Sequence, residues 1–317
     1  MTLEWTVAQQ ENGMLLRDFL HKRGVSAALV KGVKAADGFF RDGAPIHTDM
    51  RLAAGQKVSF ALPPEPPTDV LPQALPLEIV YEDIHTMVLN KPAGQTVHPT
   101  RGYADGTLAN AFCGLMAARG CSSVFRPVNR LDRGTSGLVL CAMNAYAAPL
   151  LAATAQKVYY AVAEGLVEGE AGVIDAPIAL AQGSIIQRCV CGQGRPSRTE
   201  YRVLARGGGH TLLRVIPVTG RTHQIRVHFA SQGHPLAGDD MYGGHREALA
   251  RPALHCGTVF FRSPGEDAAQ AVSAPLPGDM RALLTACGIR TEDFEICSPP
   301  DVDANLKKAP DAALERD

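Results

Sequence analysis

A proline-rich segment near residue 70 constrains this chain more than any other feature of its sequence. Six prolines stand within the fourteen residues PPEPPTDVLPQALP at 63–76. Proline fixes φ and removes a backbone donor, so neither a helix nor a central strand passes through such a segment. We therefore expect a linker at 63–76 that lets a small unit at 1–62 act semi-independently of a larger unit.

The small unit has the pattern of two short helices and a β-ribbon. The apolar residues of 15–20 have helical spacing, and 27–34 predicts a second helix. An Asp-Gly pair within 39–45 is typical of a hairpin turn, and 57–62 alternates like a strand. These patterns predict a small α/β domain.

The larger unit, at 77–297, mixes strand and helix patterns without a regular βα repeat. Strands are predicted at 78–81, 86–90, 137–142, 158–163, 199–204 and 212–217, and helices at 107–118, 146–156, 222–232 and 278–287. This order predicts an α+β fold with a mixed, mainly antiparallel sheet and flanking helices.

Charge is distributed unevenly along the chain. The formal net charge is -1, yet Glu292 to the end holds eight acids and three bases, which leaves 24 acids and 28 bases before it. A mildly basic body is compatible with a polyanion partner, and equally with a neutral solvated surface. Residues 298–317 have the composition of an acidic, disordered tail.

Composition and hydropathy exclude several classes of protein. With 46% hydrophobic and 20% charged residues, the chain is neither disordered nor collagenous. No apolar run approaches the roughly 18 to 20 residues of a membrane span, and residues 1–5 lack the features of a signal peptide. We expect a cytoplasmic protein with reduced cysteines and no membrane partner.

The densest cluster of reactive side chains is Asn-Arg-Leu-Asp-Arg-Gly-Thr-Ser-Gly-Leu at 129–138, directly before an apolar strand. An isolated aspartate before a strand usually forms a turn. Asp132, however, stands between Arg130 and Arg133, and a carboxylate kept ionised beside positive charge can act as a nucleophile or base.

A second cluster, Thr-Gly-Arg-Thr-His-Gln-Ile-Arg-Val-His, occupies 219–228. Its arginine, threonine and histidine at 221–223 stand at the start of a predicted helix, where backbone N–H groups can bind an anion. A solvated basic helix end is the alternative. His223, His228 and His234 invite a zinc hypothesis, but neither H-E-x-x-H nor paired C-x-x-C occurs, so we predict no metal.

These two clusters carry a resemblance to a known family. Residues 129–138 resemble the H-R-L-D-[RK]-x-T-S-G-L signature of the RluA family of pseudouridine synthases, with Asn129 in place of the usual histidine, and 220–226 is similar to its G-R-T-H-Q-[IL]-R motif. Other matching segments are 90–94, 157–161, 194–201, 233–239, 254–256 and 274–277. The resemblance covers about 77–290.

The resemblance implies isomerisation of a specific uridine in structured rRNA or tRNA, with no cofactor, no metal and no obligate protein partner. It implies that Asp132 is the nucleophile, that Arg221 pairs with it, and that Tyr159 stacks on the base and relays a proton. The target nucleotide must be flipped out of its helix. The residues expected to bind RNA or assist flipping are Asn129, Arg130, Arg133, Thr135, His223, Arg226, Lys31 and Lys34.

The small unit resembles, more loosely, the RNA-binding domain of S-four type that a ribosomal small-subunit protein carries. Lys31 and Lys34 are its clear candidates for phosphate contacts. A degenerate domain kept for packing is the alternative.

Two other classes of function remain open at this point. One is a catalytically silent RNA-binding protein on the same fold. The other is a glycosidase, in which Asp132 forms a carboxylate pair with Asp239 or Asp240 around a glycosidic bond.

Overall fold

The computed structural model describes residues 1–121 and 123–290, so the predicted tail at 298–317 and the end of the larger unit lie outside the described residues. The helices are α1 (Leu16–Lys22), α2 (Ala27–Lys34), α3 (Leu108–Ala118), α4 (Ala147–Thr154), α5 (Gln224–Ser231) and α6 (Gly278–Ala286). The strands are β1 (Thr2–Thr6), β2 (Phe39–Arg41), β3 (Ala44–Pro45), β4 (Lys57–Ala61), β5 (Glu78–Glu82), β6 (Thr86–Lys91), β7 (Arg126–Pro127), β8 (Ser136–Ala142), β9 (Gln156–Glu164), β10 (Ala171–Asp175), β11 (Ile178–Leu180), β12 (Arg188–Val190), β13 (Arg198–Gly207), β14 (His210–Pro217), β15 (Leu254–Phe261) and β16 (Gln270–Ser273).

The N-terminal unit has its own sheet and its own core. Its four strands follow the order β1-β4-β2-β3, and α1 and α2 pack beside them around Phe19, Phe39 and Phe60. Ser26 caps α2 by accepting a hydrogen bond from the backbone N–H of Leu29. This is the small α/β arrangement that the sequence predicts, with β1 as an additional edge strand.

The larger unit is built on a ten-stranded sheet. Its main order is β10-β13-β14-β9-β15-β8-β6-β5, with β16 beside β15 and β7 beside β8. Every pair in it is antiparallel except β8 and β15, which run parallel. On one face Phe229 of α5 packs against Tyr201, and on the other face α6 joins a cluster around Tyr160. The predicted α+β class is therefore confirmed.

The central strand β15 is absent from the sequence prediction. All eight of its residues are buried. Its sequence LHCGTVFF contains polar and small residues in its first half, so it lacks the continuous apolar run that would predict a buried strand. The parallel neighbour β8 comes so close that a Cβ on Gly137 would lie 2.3 Å from the carbonyl oxygen of Cys256. With φ at +110°, this position requires the glycine of the Thr-Ser-Gly motif.

The proline-rich segment forms no helix or strand, as predicted, but it is not free of contacts. Gln73 exchanges hydrogen bonds with Asn110 and Gly106, and Glu65 forms an ion pair with Arg126. Val70 packs against the core of the larger unit. The segment is therefore held against the larger unit along part of its length.

The N-terminal unit also packs on the larger unit through α4. Tyr146 lies in the N-terminal core, its ring is 5.9 Å from that of Trp5, and its hydroxyl donates to the carbonyl of Arg23. These contacts pack the N-terminal unit on the larger unit, and the semi-independent action expected of residues 1–62 stays a prediction. The domain limits themselves, and RNA binding by this unit, remain predictions. No helix within residues 1–121 and 123–290 is long and apolar enough to cross a membrane.

A buried carboxylate in the N-terminal unit makes its stability dependent on pH. Glu11 accepts hydrogen bonds from Arg23, Lys22 and the backbone N–H of Ala8, and the Arg23 bonds are the main reason that its pKa falls from 4.5 to about 2. Because the pKa is lower in the folded state, the stabilisation is complete above pH 4.5 and is lost as the pH falls towards 2.

We expect Glu11→Gln to lower the free energy of unfolding by about 2 kcal/mol at pH 7, since it leaves the Arg23 guanidinium without its carboxylate. Urea unfolding at pH 7 and pH 3 measures this, with Glu4→Gln on the exposed side of β1 as the control. The difference between wild type and Glu11→Gln should shrink at pH 3. An equal difference at both pH values would contradict the assignment.

Candidate active site

The two motif clusters meet in one cleft of about 580 Å³. The loop before β8 forms one side, and the segment before α5 forms the other. Its charged lining comprises one carboxylate, Asp132, and five cations, which are Arg130, Arg133, Lys157, Arg221 and Arg226. Such a lining produces a positive field around a single carboxylate.

Asp132 is held by one of its two carboxylate oxygens. Its Oδ2 accepts a hydrogen bond from Arg226 Nη1 at 3.1 Å and lies 3.8 Å from Nε2 of His223. Its side chain is 29% exposed. Within the described residues Oδ1 has no recorded partner, so this oxygen is available to a molecule in the cleft.

Arg226 is in turn fixed by a second aspartate. Its Nε and Nη2 donate to the two oxygens of Asp239, both at 2.7 Å, in a bidentate pair that is almost completely buried. Burial disfavours the charge of Arg226, but the bonds to Asp239 and Asp132 outweigh it and raise the pKa of the guanidinium. Arg226 therefore stays charged and holds Asp132 in one orientation.

The predicted pairing of Arg221 with Asp132 is wrong in this structure. His223 adopts a left-handed conformation with φ at +58°, and α5 begins only after it. Arg221 precedes that turn, and its Nε donates to the carbonyl of Pro196. Arg226 follows the turn and reaches Asp132. Arg221 still lines the cleft.

A buried lysine supports the loop of Asp132 from behind. Lys91 is fully buried, and its Nζ donates to the carbonyls of Pro92 and Gln95 at 2.8 and 2.9 Å, with the carbonyl of Arg133 at 3.5 Å. Burial lowers the pKa of Lys91 to about 7. The buried position of Lys91 is not predictable from the sequence pattern, because nothing in it indicates that the ammonium turns inward.

The hydrogen bonds around His223 favour one of its two neutral tautomers. The oxygen of Tyr242 accepts from the backbone N–H of Arg188 at 2.9 Å, so its own hydrogen is free for Nδ1 of His223 at 2.8 Å. Burial lowers the pKa of His223, in spite of the opposing charge of Asp132. This arrangement favours a neutral ring with its hydrogen on Nε2, the nitrogen that lies 3.8 Å from Asp132 Oδ2.

This tautomer makes Tyr242 a positioning residue, and we expect Tyr242→Phe to lower kcat about tenfold, the cost of one buried hydrogen bond. The lost hydroxyl favoured the neutral imidazole, so the acidic limb of the kcat profile should move to higher pH. The charged groups that also affect the pKa of His223 are Asp132, Arg226, Asp239 and Arg188. Tyr201→Phe, whose ring packs on Phe229, is the control. An unchanged kcat and pH profile would refute the assignment.

Tyr159 forms part of the cleft wall on β9. Its ring is buried, with 8% exposure, and burial raises the pKa of its phenol well above the usual value of 10. The hydroxyl is therefore neutral at physiological pH. A neutral phenol suits a stacking role better than that of a base.

Two predicted RNA-binding residues are turned into the protein. Asn129 is buried, donates to the carbonyl of Leu138 and accepts from the backbone N–H of Leu140, so its amide orients the loop instead of facing RNA. Thr135 is also buried, and its Oγ1 has no hydrogen-bond partner within the described residues. Its backbone N–H closes the turn onto the carbonyl of Asp132.

The two flanking arginines differ in their surroundings. Arg133 donates from Nε to the carbonyl of Gly94, and its guanidinium lies 4.6 Å from the ring centre of Tyr103. Arg130 is exposed at the cleft and has no recorded side-chain hydrogen bond within the described residues. The guanidinium of Arg130 is thus open to a molecule that enters the cleft.

The remaining sequence candidates lie outside the cleft. Lys31 and Lys34 are exposed on α2 of the N-terminal unit. His228 binds Thr199 and the carbonyl of Ala176 through its two ring nitrogens, and His234 bonds to the carbonyl of Glu164. In the described part of the chain, no group of three or more metal-ligating side chains is present.

The carboxylate pair of a glycosidase does not form. Asp239 is completely buried, and both of its carboxylate oxygens accept hydrogen bonds from Arg226, so it cannot reach a sugar. Asp240 is exposed and pairs with Arg246. The contact of Asp239 with Arg226 depends on the tertiary fold, so the sequence pattern gives no sign of it.

Known proteins are similar to this chain in both sequence and fold. A family model described as RNA pseudouridylate synthase matches residues 85–231. An uncharacterized RNA pseudouridine synthase of Bacillus subtilis, YjbO, is 33% identical over 278 residues, which are 86% of this chain and 98% of that protein. This chain belongs to the RluA-type family of RNA pseudouridine synthases.

The synthase has further relatives with more specific names. Ribosomal large subunit pseudouridine synthase D of Xanthomonas campestris is 36% identical over 280 residues, covering 81% of this chain and 83% of that protein. The solved human RNA pseudouridylate synthase domain containing 1 is 28% identical, covers 66% of this chain and 86% of that chain, and has a TM-score of 0.52. The synthase is therefore an isomerase that acts on RNA.

Proposed function

We propose that this synthase converts a specific uridine of structured RNA to pseudouridine, with Asp132 as the nucleophile and the target nucleotide flipped into the cleft. The observation that carries the proposal is the asymmetric hold on Asp132. Arg226 and His223 face Oδ2, while Oδ1 has no hydrogen-bond partner within the described residues, and Asp132 is the one carboxylate of a cleft that also contains five cations.

The proposed reaction rearranges bonds without an external reactant. The C1′–N1 bond breaks and its electron pair leaves with uracil, while the ionised Asp132 stabilises or bonds the electron-poor C1′. The uracil turns so that C5 bonds to C1′, and the proton lost from C5 balances the one gained at N1. Product and substrate are isomers, so no oxidant, reductant or water is consumed.

Base flipping is part of the proposal because a carboxylate within a cleft cannot reach a stacked nucleotide. Flipping costs a few kcal/mol of stacking and pairing, least where the uridine lies in a loop. In this proposal the exposed Arg130 enters the vacated space and the ring of Tyr159 stacks on the extruded base; both residues line the cleft. The cations of the cleft would bind the flanking phosphates.

Ribosomal RNA is the substrate that the named relatives favour, with tRNA as the second candidate. The relative from Xanthomonas campestris bears the name of a large-subunit rRNA enzyme. Specificity in RNA depends on shape and loop presentation rather than on a side-chain code, so neither uridine nor loop follows from the cleft alone.

Pseudouridine mapping of total RNA from cells with and without this protein tests the proposal. We expect at least one site to disappear in its absence and to return when purified wild type acts on the unmodified transcript. In addition, a transcript with 5-fluorouridine should form a stable adduct with the wild type. Identical maps in both strains, together with no adduct, would overturn the proposed function.

A further inference from the structure

The hairpin of β11 and β12 presents an apolar tip to solvent. Ile185 is 88% exposed and Ile186 is 55% exposed. The tip has a fixed shape, since Ser184 Oγ accepts from the backbone N–H of Ile186 and of Gln187, and Ala181 N–H donates to the carbonyl of Gln187. Two neighbouring isoleucines held outward in an ordered turn are a prepared contact surface.

The segment that contains this hairpin carries only positive charge. Residues 176–199 include three arginines and neither aspartate nor glutamate. Arg198 is paired with Asp175 and Glu200 at the base of the segment. Arg188 is half-buried, and its Nε has no partner within the described residues, whereas Arg195 is exposed. The positive charge of the hairpin therefore favours binding of a polyanion.

The hairpin is joined to the rim of the cleft by hydrogen bonds. The backbone N–H of Arg188 donates to the Tyr242 hydroxyl, and Gln187 Nε2 donates to the carbonyl of Met241. Tyr242 in turn contacts His223, which lines the cleft. A strand of RNA whose uridine occupies the cleft thus passes near the hairpin.

We propose that the tip of this hairpin, Ile185 and Ile186, is a docking surface for the RNA that flanks the target uridine. The isoleucines pack against bases unstacked by flipping, as apolar wedges do in other nucleic-acid complexes, and Arg188 and Arg195 face phosphates. The proposal rests on the proposed function. RNA is favoured over a protein partner because the whole segment lacks acids and adjoins the positive cleft.

The test uses the full-length protein and in vitro transcripts of large-subunit rRNA and tRNAs from the source organism. The double variant Ile185→Ser and Ile186→Ser should raise Kd and KM for the modified transcript about tenfold and leave kcat at saturation within twofold. Arg195→Gln should shallow the log-log salt dependence of binding by about 0.7, the loss of one single-strand phosphate contact.

Matched controls lie far from the cleft. Ile84→Ser removes an isoleucine that is 73% exposed in the turn after β5, and Arg262→Gln removes an exposed arginine after β15. Both should bind like wild type. Unchanged KM in the double variant, with an active wild type, overturns the docking surface alone. A wild type that modifies no transcript overturns the proposed function and the docking with it.

Sedimentation and thermal melts of the double variant complete the test. An altered oligomeric state with unchanged RNA affinity would assign the tip to self-association and overturn the RNA proposal. Exposed substitutions of this kind rarely change stability by more than about 0.5 kcal/mol. If the double variant nevertheless melts early, Arg195→Gln decides the outcome by its salt dependence.

Discussion

Asp132→Asn is expected to lower turnover at least about 10⁴-fold, the scale of losing a nucleophile in a preorganised site. The amide occupies the same space but cannot stabilise a developing positive charge at C1′. RNA affinity should change little, because the cations of the cleft remain. Stability should change by no more than about 1 kcal/mol, since Arg226 keeps its buried pair with Asp239.

Single-turnover conversion of the modified transcript measures this effect, with Kd and the melting temperature taken on the same preparation. Asp240→Asn is the matched control, because Asp240 is exposed and pairs only with Arg246. That control should retain the activity of wild type. Conversion by Asp132→Asn within a hundredfold of wild type would remove Asp132 from the proposed mechanism.

Asp132 illustrates what sequence predicts well at this site. The Asn-Arg-Leu-Asp-Arg motif lies in one loop before an apolar strand, so local pattern alone places the carboxylate at the start of β8. The capping of α2 by Ser26 and of α3 by Thr107 is equally local. Elements of this kind depend on residues a few positions apart, which a sequence displays directly.

Other parts of the site depend on contacts between distant segments. Arg226 and Asp239 meet only because α5 and the chain after it fold against one another, and Tyr242 meets Arg188 across 54 positions. Strand β15 is recognisable only once β8 and β9 enclose it. A buried strand with polar and small residues at its start gives no periodic signal of its own.

Arg221 and Arg226 show that a sequence motif does not by itself determine which of its side chains contacts Asp132. Both arginines stand in one short motif, five positions apart, and the motif alone allows either of them to pair with Asp132. The left-handed conformation of His223 separates them. Before this turn Arg221 bonds to the carbonyl of Pro196, and after it begins the helix that carries Arg226 to Asp132.

Arg226→Lys is therefore expected to have the second largest effect. One guanidinium makes three charged hydrogen bonds here, two to Asp239 and one to Asp132, and a single ammonium cannot match that planar geometry. We expect kcat to fall about 10²- to 10³-fold as Asp132 loses its orientation. The buried Asp239 is left poorly paired, so the free energy of unfolding should fall by about 3 kcal/mol.

The matched substitution Arg221→Lys separates this interpretation from the motif-based one. Arg221 donates to one carbonyl at the cleft rim, and a lysine there should leave kcat within a fewfold of wild type. Turnover is to be measured well below the melting temperature of Arg226→Lys and normalised to the fraction that forms the 5-fluorouridine adduct, so that unfolding does not imitate a catalytic loss. A severe loss of kcat in Arg221→Lys, beside a mild one in Arg226→Lys, would mean that the RNA complex rearranges the pairing of Asp132. Such a rearrangement would break the charged hydrogen bond from Arg226 Nη1 to Asp132, while the buried pair with Asp239 keeps Arg226 aimed at that carboxylate, and this is why we expect the opposite result.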